Sequence, residues 1–168
     1  KIRKSSKESE AYLKRRQDLQ DIPPHILRKA WFNMSHLILD DCAHVIDIGC
    51  GDGTLTYTMA VLFPRIHFTG LDKNKRLIGK ASAQYDLPNL DFKVGDMASD
   101  IFEPESIDAI INSDILHVIF SSARYNEQII PKILARQLKM LKNNGQMLVR
   151  DFVRPPPDQY VLIELADE

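Results

Sequence analysis

The chain has 168 residues, 44% of them hydrophobic and 27% charged, with a formal net charge of −1. That is one domain's length with an ordinary globular composition, and no apolar run approaches the ~18 residues of a membrane-spanning helix. Two cysteines, Cys42 and Cys50, lack CxxC spacing and read as free thiols of a reducing cytosol, so a cytoplasmic location is expected; His25, His36, His44, His67 and His117 have no ligand spacing, so no metal site is expected.

Residues 1–16 hold seven Lys or Arg against two Glu. Only Tyr12 interleaves with them, so the stacking half of a nucleic-acid site is missing and a solvated basic helix face is the plainer reading. A helix is expected over 8–20, stopped by Asp21-Ile22-Pro23-Pro24. A second spans 25–39, with Ile26, Leu27, Ala30, Trp31, Met34, Leu37 and Ile38 at helical spacing. From 44 onward short apolar strands alternate with amphipathic helices. The strands are 44–48, 66–72, 90–94, 107–112 and 146–152; the helices are 54–63, 75–85 and 124–142. The last helix has an apolar face of Ile129, Ile130, Ile133, Leu134, Leu138 and Leu141, and Asn143-Asn144-Gly145 ends it. The pattern predicts a helical cap over 1–40 and an α/β core over 41–168, a doubly wound, mainly parallel sheet with helices on both faces. Ligands bind such sheets at the carboxyl ends of the strands, which directs attention to 47–53, 72–74, 95–97, 112–117 and 151–157. The stiff run Arg154-Pro155-Pro156-Pro157 is expected over that edge.

The first of these loops lies in VIDIGCGDGTLTYTMA (45–60). Its spacing is GxGxG, and Thr54 stands where a dinucleotide fingerprint has its third glycine. Asp72 closes the second strand, where a carboxylate accepts hydrogen bonds from both ribose hydroxyls; DKNK there is also a plausible turn. Asp96, in VGDM after the third strand, suits an exocyclic amine such as adenine's, with Met97 as an apolar flank. An acid-lined edge repels a pyrophosphate.

DIGCGDG (47–53), GLD (70–72), VGDM (94–97), IDAIINSDILHVI (107–119) and LKMLKNNGQMLVRDF (138–152) together resemble the successive motifs of class I S-adenosylmethionine-dependent methyltransferases, over about residues 25–152. The resemblance implies a Rossmann-like fold whose N-terminal helices pack over the cofactor edge. It implies that Asp47, Gly49 and Gly51 surround the methionine part of S-adenosyl-L-methionine, that Asp72 holds its ribose, and that Asp96 and Met97 flank its adenine. Ser113 would lie along the cofactor's other side. Cys50, a small residue filling the turn, and Lys73, next to Asp72, join the cofactor-binding set. Tyr12 or Arg15 would close on the cofactor's carboxylate.

The implied reaction is in-line displacement at the methyl carbon, driven mainly by alignment, on a small-molecule or partner-presented acceptor, leaving S-adenosyl-L-homocysteine. A base is needed only where the acceptor must lose a proton. His117, Asp114 and Asp151 are the candidates, His117 first on pKa grounds. NSDI is not the (D/N)PPY type of amino-methylases. Relatives usually add two strands after the fifth, whereas sixteen residues follow Phe152, with one apolar run at 160–165. A fragment of a longer protein, with the last two strands missing and a fused region or a dimer covering the edge, is the expectation. The competing functions are a non-catalytic partner-binding module that keeps the cofactor fold and a nicotinamide-dependent oxidoreductase.

Overall fold

The structure is a computed structural model and describes residues 17, 19–99 and 101–152. Tyr12, Arg15, the proline run and the apolar run at 160–165 lie outside the described residues.

Five strands form one parallel sheet: β1 (His44–Ile48), β2 (His67–Asp72), β3 (Leu90–Val94), β4 (Ile107–Ser113) and β5 (Leu141–Arg150), in the order β3-β2-β1-β4-β5. Asp47 stands opposite Gly70 on one side and Ile111 on the other. The order reverses between β1 and β4, and that is where ligand crevices open in such sheets. β1 and β4 are buried almost throughout because both faces are covered. Neighbouring β1 residues point to opposite layers. Val45 packs with Ala30, Met34 and Met59, whereas Ile46 and Ile48 pack with Leu71, Ile110 and Met140.

Besides helical residues at 17 and 19–21, the described residues form α1 (Pro24–Ser35), α2 (Thr54–Leu62), α3 (Lys75–Gln84), α4 (Leu116–Ser122) and α5 (Ile129–Met140). Asn74 caps α3, accepting from the backbone N–H groups of Arg76 and Leu77 at 3.0 and 3.3 Å. None of the described helices is long and apolar enough to cross a membrane.

Three sequence expectations need correction. The helix expected over 25–39 ends at Ser35, and Leu37 and Leu39 pack on the core from a non-helical link. The helix expected over 124–142 starts only at Ile129 and ends at Met140, as α5, with turn and loop over 124–128. Pro131 lies in the first turn of α5, where its missing N–H costs nothing; further inside a longer helix its ring would crowd the preceding turn. Arg124 and Tyr125, both at positive φ, turn the chain between α4 and α5. The fifth strand begins earlier than 146 and ends at Arg150, so Asp151 lies just past it. Its register jumps from Leu141 opposite Ile107 to Gln146 opposite Ala109, and the surplus residues bulge out of the ladder around Asn144, at φ +68°.

Candidate active site at the switch point

The loop after β1 is shaped by what its glycines meet. A side chain at Gly49 would strike Ile115 at 2.5 Å, so this glycine lets the start of α4 close down on the loop. Gly51, at φ +59°, has nothing within 4 Å of a built Cβ and leaves its backbone open to approach. Cys50 is buried, and its sulfur packs towards Gly70. Burial, then the charges of Asp47 and Asp72, push its thiol well above the usual range, which makes it an inert filler of the turn.

Two clefts meet at Gly49. The larger, about 420 Å³, runs over the ends of β2 and β3 and is walled by Asp72, Lys73, Asp96, Met97 and apolar residues of α3, α4 and α5, Leu77, Val118 and Ile133 among them. One Asp72 oxygen accepts from Gly51 N–H at 3.0 Å and the other from Asn74 N–H at 2.8 Å. The carboxylate therefore makes the turn that the DKNK sequence offers and also ties the glycine loop to β2. About four lone-pair sites on a carboxylate leave room for two more donors. Asp96 accepts from Ala98 N–H at 2.9 Å and is otherwise open to solvent.

The smaller cleft, about 210 Å³, lies between α1 and the β1 loop, with Lys29, Asp47, Gly51 and Ser113 in its wall. Asp47 is buried and accepts from Thr56 Oγ1 at 2.6 Å. Burial raises its carboxyl to about 6, against the opposing pull of Thr56 and Lys29. A buried anion and a lysine on one small cleft suit a zwitterion.

Beyond Ser113 lies an open depression bordered by Asp114, His117, Arg150, Asp151 and Phe152. The three candidate bases occupy different situations in it. Asp114 pairs with Lys29 at 2.6 Å and Arg150 at 2.8 Å. Partial burial raises its carboxyl, but the hydrogen bonds and charges of those two cations outweigh it and hold the group below its ordinary range. Through these two pairs it ties α1 to the end of β5. Asp151 and His117 form a dyad, with Nδ1 to Oδ1 at 2.7 Å. Lys29 and Arg150 were not legible as site residues, because only the packing of α1 and β5 beside β4 brings them to Asp114. Among the described residues no group of three potential ligands is placed to hold a metal.

A family model described as "Methyltransferase domain" matches residues 39–166. The trans-aconitate 2-methyltransferase of Deinococcus radiodurans is 46% identical over 55 residues, which is 33% of this chain and 21% of that protein. The trans-aconitate 2-methyltransferase of Paracidovorax citrulli is 29% identical over 126 residues, 74% of this chain and 44% of that protein. The matched segments thus span less than half of these relatives. A crystal structure of a putative sarcosine dimethylglycine methyltransferase from Galdieria sulphuraria superposes with a TM-score of 0.63 at 20% identity, covering 74% of this chain and 46% of that one; at that identity the likeness is one of fold. With its Rossmann-like sheet, the glycine loop at the switch point and a family match over most of its length, this chain belongs to the methyltransferase-domain family, class I.

Proposed function

We propose that this chain binds S-adenosyl-L-methionine across the two clefts and catalyses methyl transfer to an acceptor seated in the depression beside Asp114 and His117. The observation that carries this reading is the junction at Gly49 of an apolar cleft edged by Asp72 and Asp96 with a small cleft holding Lys29 and the buried Asp47. Neither cleft offers a phosphate cradle, and the cofactor has no phosphate. Asp72 would accept from the ribose hydroxyls with its remaining lone pairs. Asp96 would accept from the adenine amine beside Met97, and the walls from α3 to α5 would cover the ring. Asp47 would face the cofactor's ammonium and Lys29 its carboxylate, next to the bare backbone of Gly51. Lys73 lines the larger cleft and Ser113 the smaller, where Cys50 would contribute backbone only.

The cofactor supplies an activated methyl group on a sulfonium leaving group. What the chain itself contributes is alignment: α4, pressed on Gly49 through the preceding Ile115, walls the larger cleft and would set His117 beside the acceptor. Titration calorimetry with S-adenosyl-L-homocysteine tests the reading. Binding should occur with one site per chain, and Asp72→Ala should weaken it at least about tenfold while circular dichroism stays native, since charged hydrogen bonds are worth roughly 1.5–3 kcal/mol. A folded protein that releases no heat, or an Asp72→Ala variant of unchanged affinity, would sink it.

A further inference from the structure

We propose that the methyl acceptor is a neutral hydroxyl compound of phenol type, whose O–H proton is taken by His117 Nε2, with Asp151 as the positioning residue. This rests on the cofactor reading above and names the acceptor class for the same site.

The Asp151 side chain is 8% exposed and fully engaged. One oxygen meets His117 Nδ1 at 2.7 Å and accepts from Phe152 N–H at 2.8 Å. The other accepts from Leu116 N–H at 2.6 Å and, more weakly, His117 N–H at 3.4 Å. Partial burial raises its carboxyl, but the Phe152 N–H, the His117 ring and the two α4 N–H groups together bring it below its ordinary range. An ionised carboxylate at Nδ1 places the ring proton there in the neutral imidazole, which leaves a lone pair on Nε2. Nε2 has no partner among the described residues, and the His117 side chain is 39% exposed in the depression. The ring is thus held by its first turn of α4 and by the end of β5, with its basic nitrogen facing outward.

A base so arranged serves an acceptor that must lose a proton. A carboxylate acceptor has none to lose, and Arg150, the cation that borders the depression, already holds Asp114. An ammonium acceptor would lie beside the Arg150 guanidinium in the same depression. Two exposed rings border the dyad and its neighbour Arg150. Phe152 meets the His117 ring edge-on at 5.0 Å between centroids, and Phe32 lies under the Arg150 guanidinium at 5.8 Å. They offer an apolar shoulder to a flat ring. In the step, the acceptor O–H bond breaks with its proton passing to Nε2. The oxygen bonds to the methyl carbon, and the electron pair of the breaking carbon–sulfur bond stays on sulfur.

The test uses the full chain with S-adenosyl-L-homocysteine bound, ¹⁵N-imidazole NMR of His117, and phenol, benzoate and benzylamine as probes. The free protein should show His117 as the Nδ1–H tautomer, and Asp151→Asn should release it into a mixture of tautomers while circular dichroism stays native. Phenol should bind, move the Nε2 resonance and outcompete the other two. His117→Gln should weaken phenol by roughly tenfold, as for one lost hydrogen bond, with homocysteine-cofactor affinity unchanged. An Nε2–H tautomer, an Nε2 signal unmoved by phenol, or tighter binding of benzoate or benzylamine overturns the proposal while the cofactor reading stands. Absence of S-adenosyl-L-homocysteine binding overturns both.

Discussion

Asp47 is a carboxylate kept out of water beside an open cleft, and its electrostatics tie stability to ligand binding. Its carboxyl is raised from an ordinary 3.8 to about 6 by burial. Between those values the folded form keeps a proton that the unfolded chain has lost, so the free protein loses stability as pH rises through that window. The loss is on the order of 3 kcal/mol once the group is fully ionised. Asp47→Asn keeps an acceptor for Thr56 and removes the charge. It should raise the melting temperature of the free protein at pH 7.5 and flatten its decline between pH 4 and 6. The same variant should lose S-adenosyl-L-homocysteine affinity by at least about tenfold, because an ion pair to the ammonium is gone. In the wild-type chain that affinity should rise from pH 5 to pH 7 as Asp47 ionises. Melting and calorimetry across this range check all of it; a wild-type affinity flat with pH would remove Asp47 from the ammonium site. Asp47 was readable in DIGCGDG, but its burial was not, since that depends on α1 and α2 closing over β1.

At the scale of elements, α5 shows what periodicity can and cannot read. The sequence marks a helix with an apolar face of Ile129, Ile130, Ile133, Leu134, Leu138 and Leu141. In the structure the most buried helix residues are Ile133, Gln137 and Met140, and Leu138 is 55% exposed. The face turns because Gln137 pairs with Asn112 in the core of β4. Asn112 Nδ2 donates to Gln137 Oε1 at 2.7 Å and Gln137 Nε2 to Asn112 Oδ1 at 3.1 Å, with both residues fully buried. A polar residue on a core face carries no hydrophobic signal, so the pairing stays invisible until α5 is laid on β4. α4, with seven residues, is too short for a clear period. Gln137→Ala would leave the Asn112 amide buried without partners and should cost about 2–4 kcal/mol, each such group being worth roughly 1–3 kcal/mol. Asn112→Leu combined with Gln137→Leu should cost less than the single change, because no polar atom is stranded. Urea unfolding of the two variants decides it: a double variant that loses as much as or more than Gln137→Ala would mean the pair does not act as a unit. Since Asn112 precedes Ser113 and Asp114, the single variant should also loosen the loop that carries Asp114.

For the whole molecule, the strand rhythm was enough to give the parallel sheet, and the sheet order then determines which loops share an edge. β1 lies at the centre, so its glycine loop borders both the β2 side, with Asp72, and the β4 side, with Asp114 and His117. The residues that complete the site come from elements far apart in sequence: Lys29 from α1, Ile115 from the start of α4, Arg150 from the end of β5. Their meeting is a product of topology, which no local motif encodes. One consequence is that a ligand lying across Gly49 touches α1, the β1 loop, the end of β2 and the α4 wall together, and so draws on most of the fold for its binding. S-adenosyl-L-homocysteine at a hundred times its dissociation constant should add about 2.7 kcal/mol to stability. For a chain of this size each kcal/mol moves the melting temperature by about 2–4 °C, so the midpoint should rise roughly 5–10 °C in a single transition. Reduced nicotinamide dinucleotide should leave it unmoved, because its pyrophosphate would have to lie between Asp72 and Asp47. A rise with the dinucleotide and none with S-adenosyl-L-homocysteine would assign the two clefts to a different cofactor altogether.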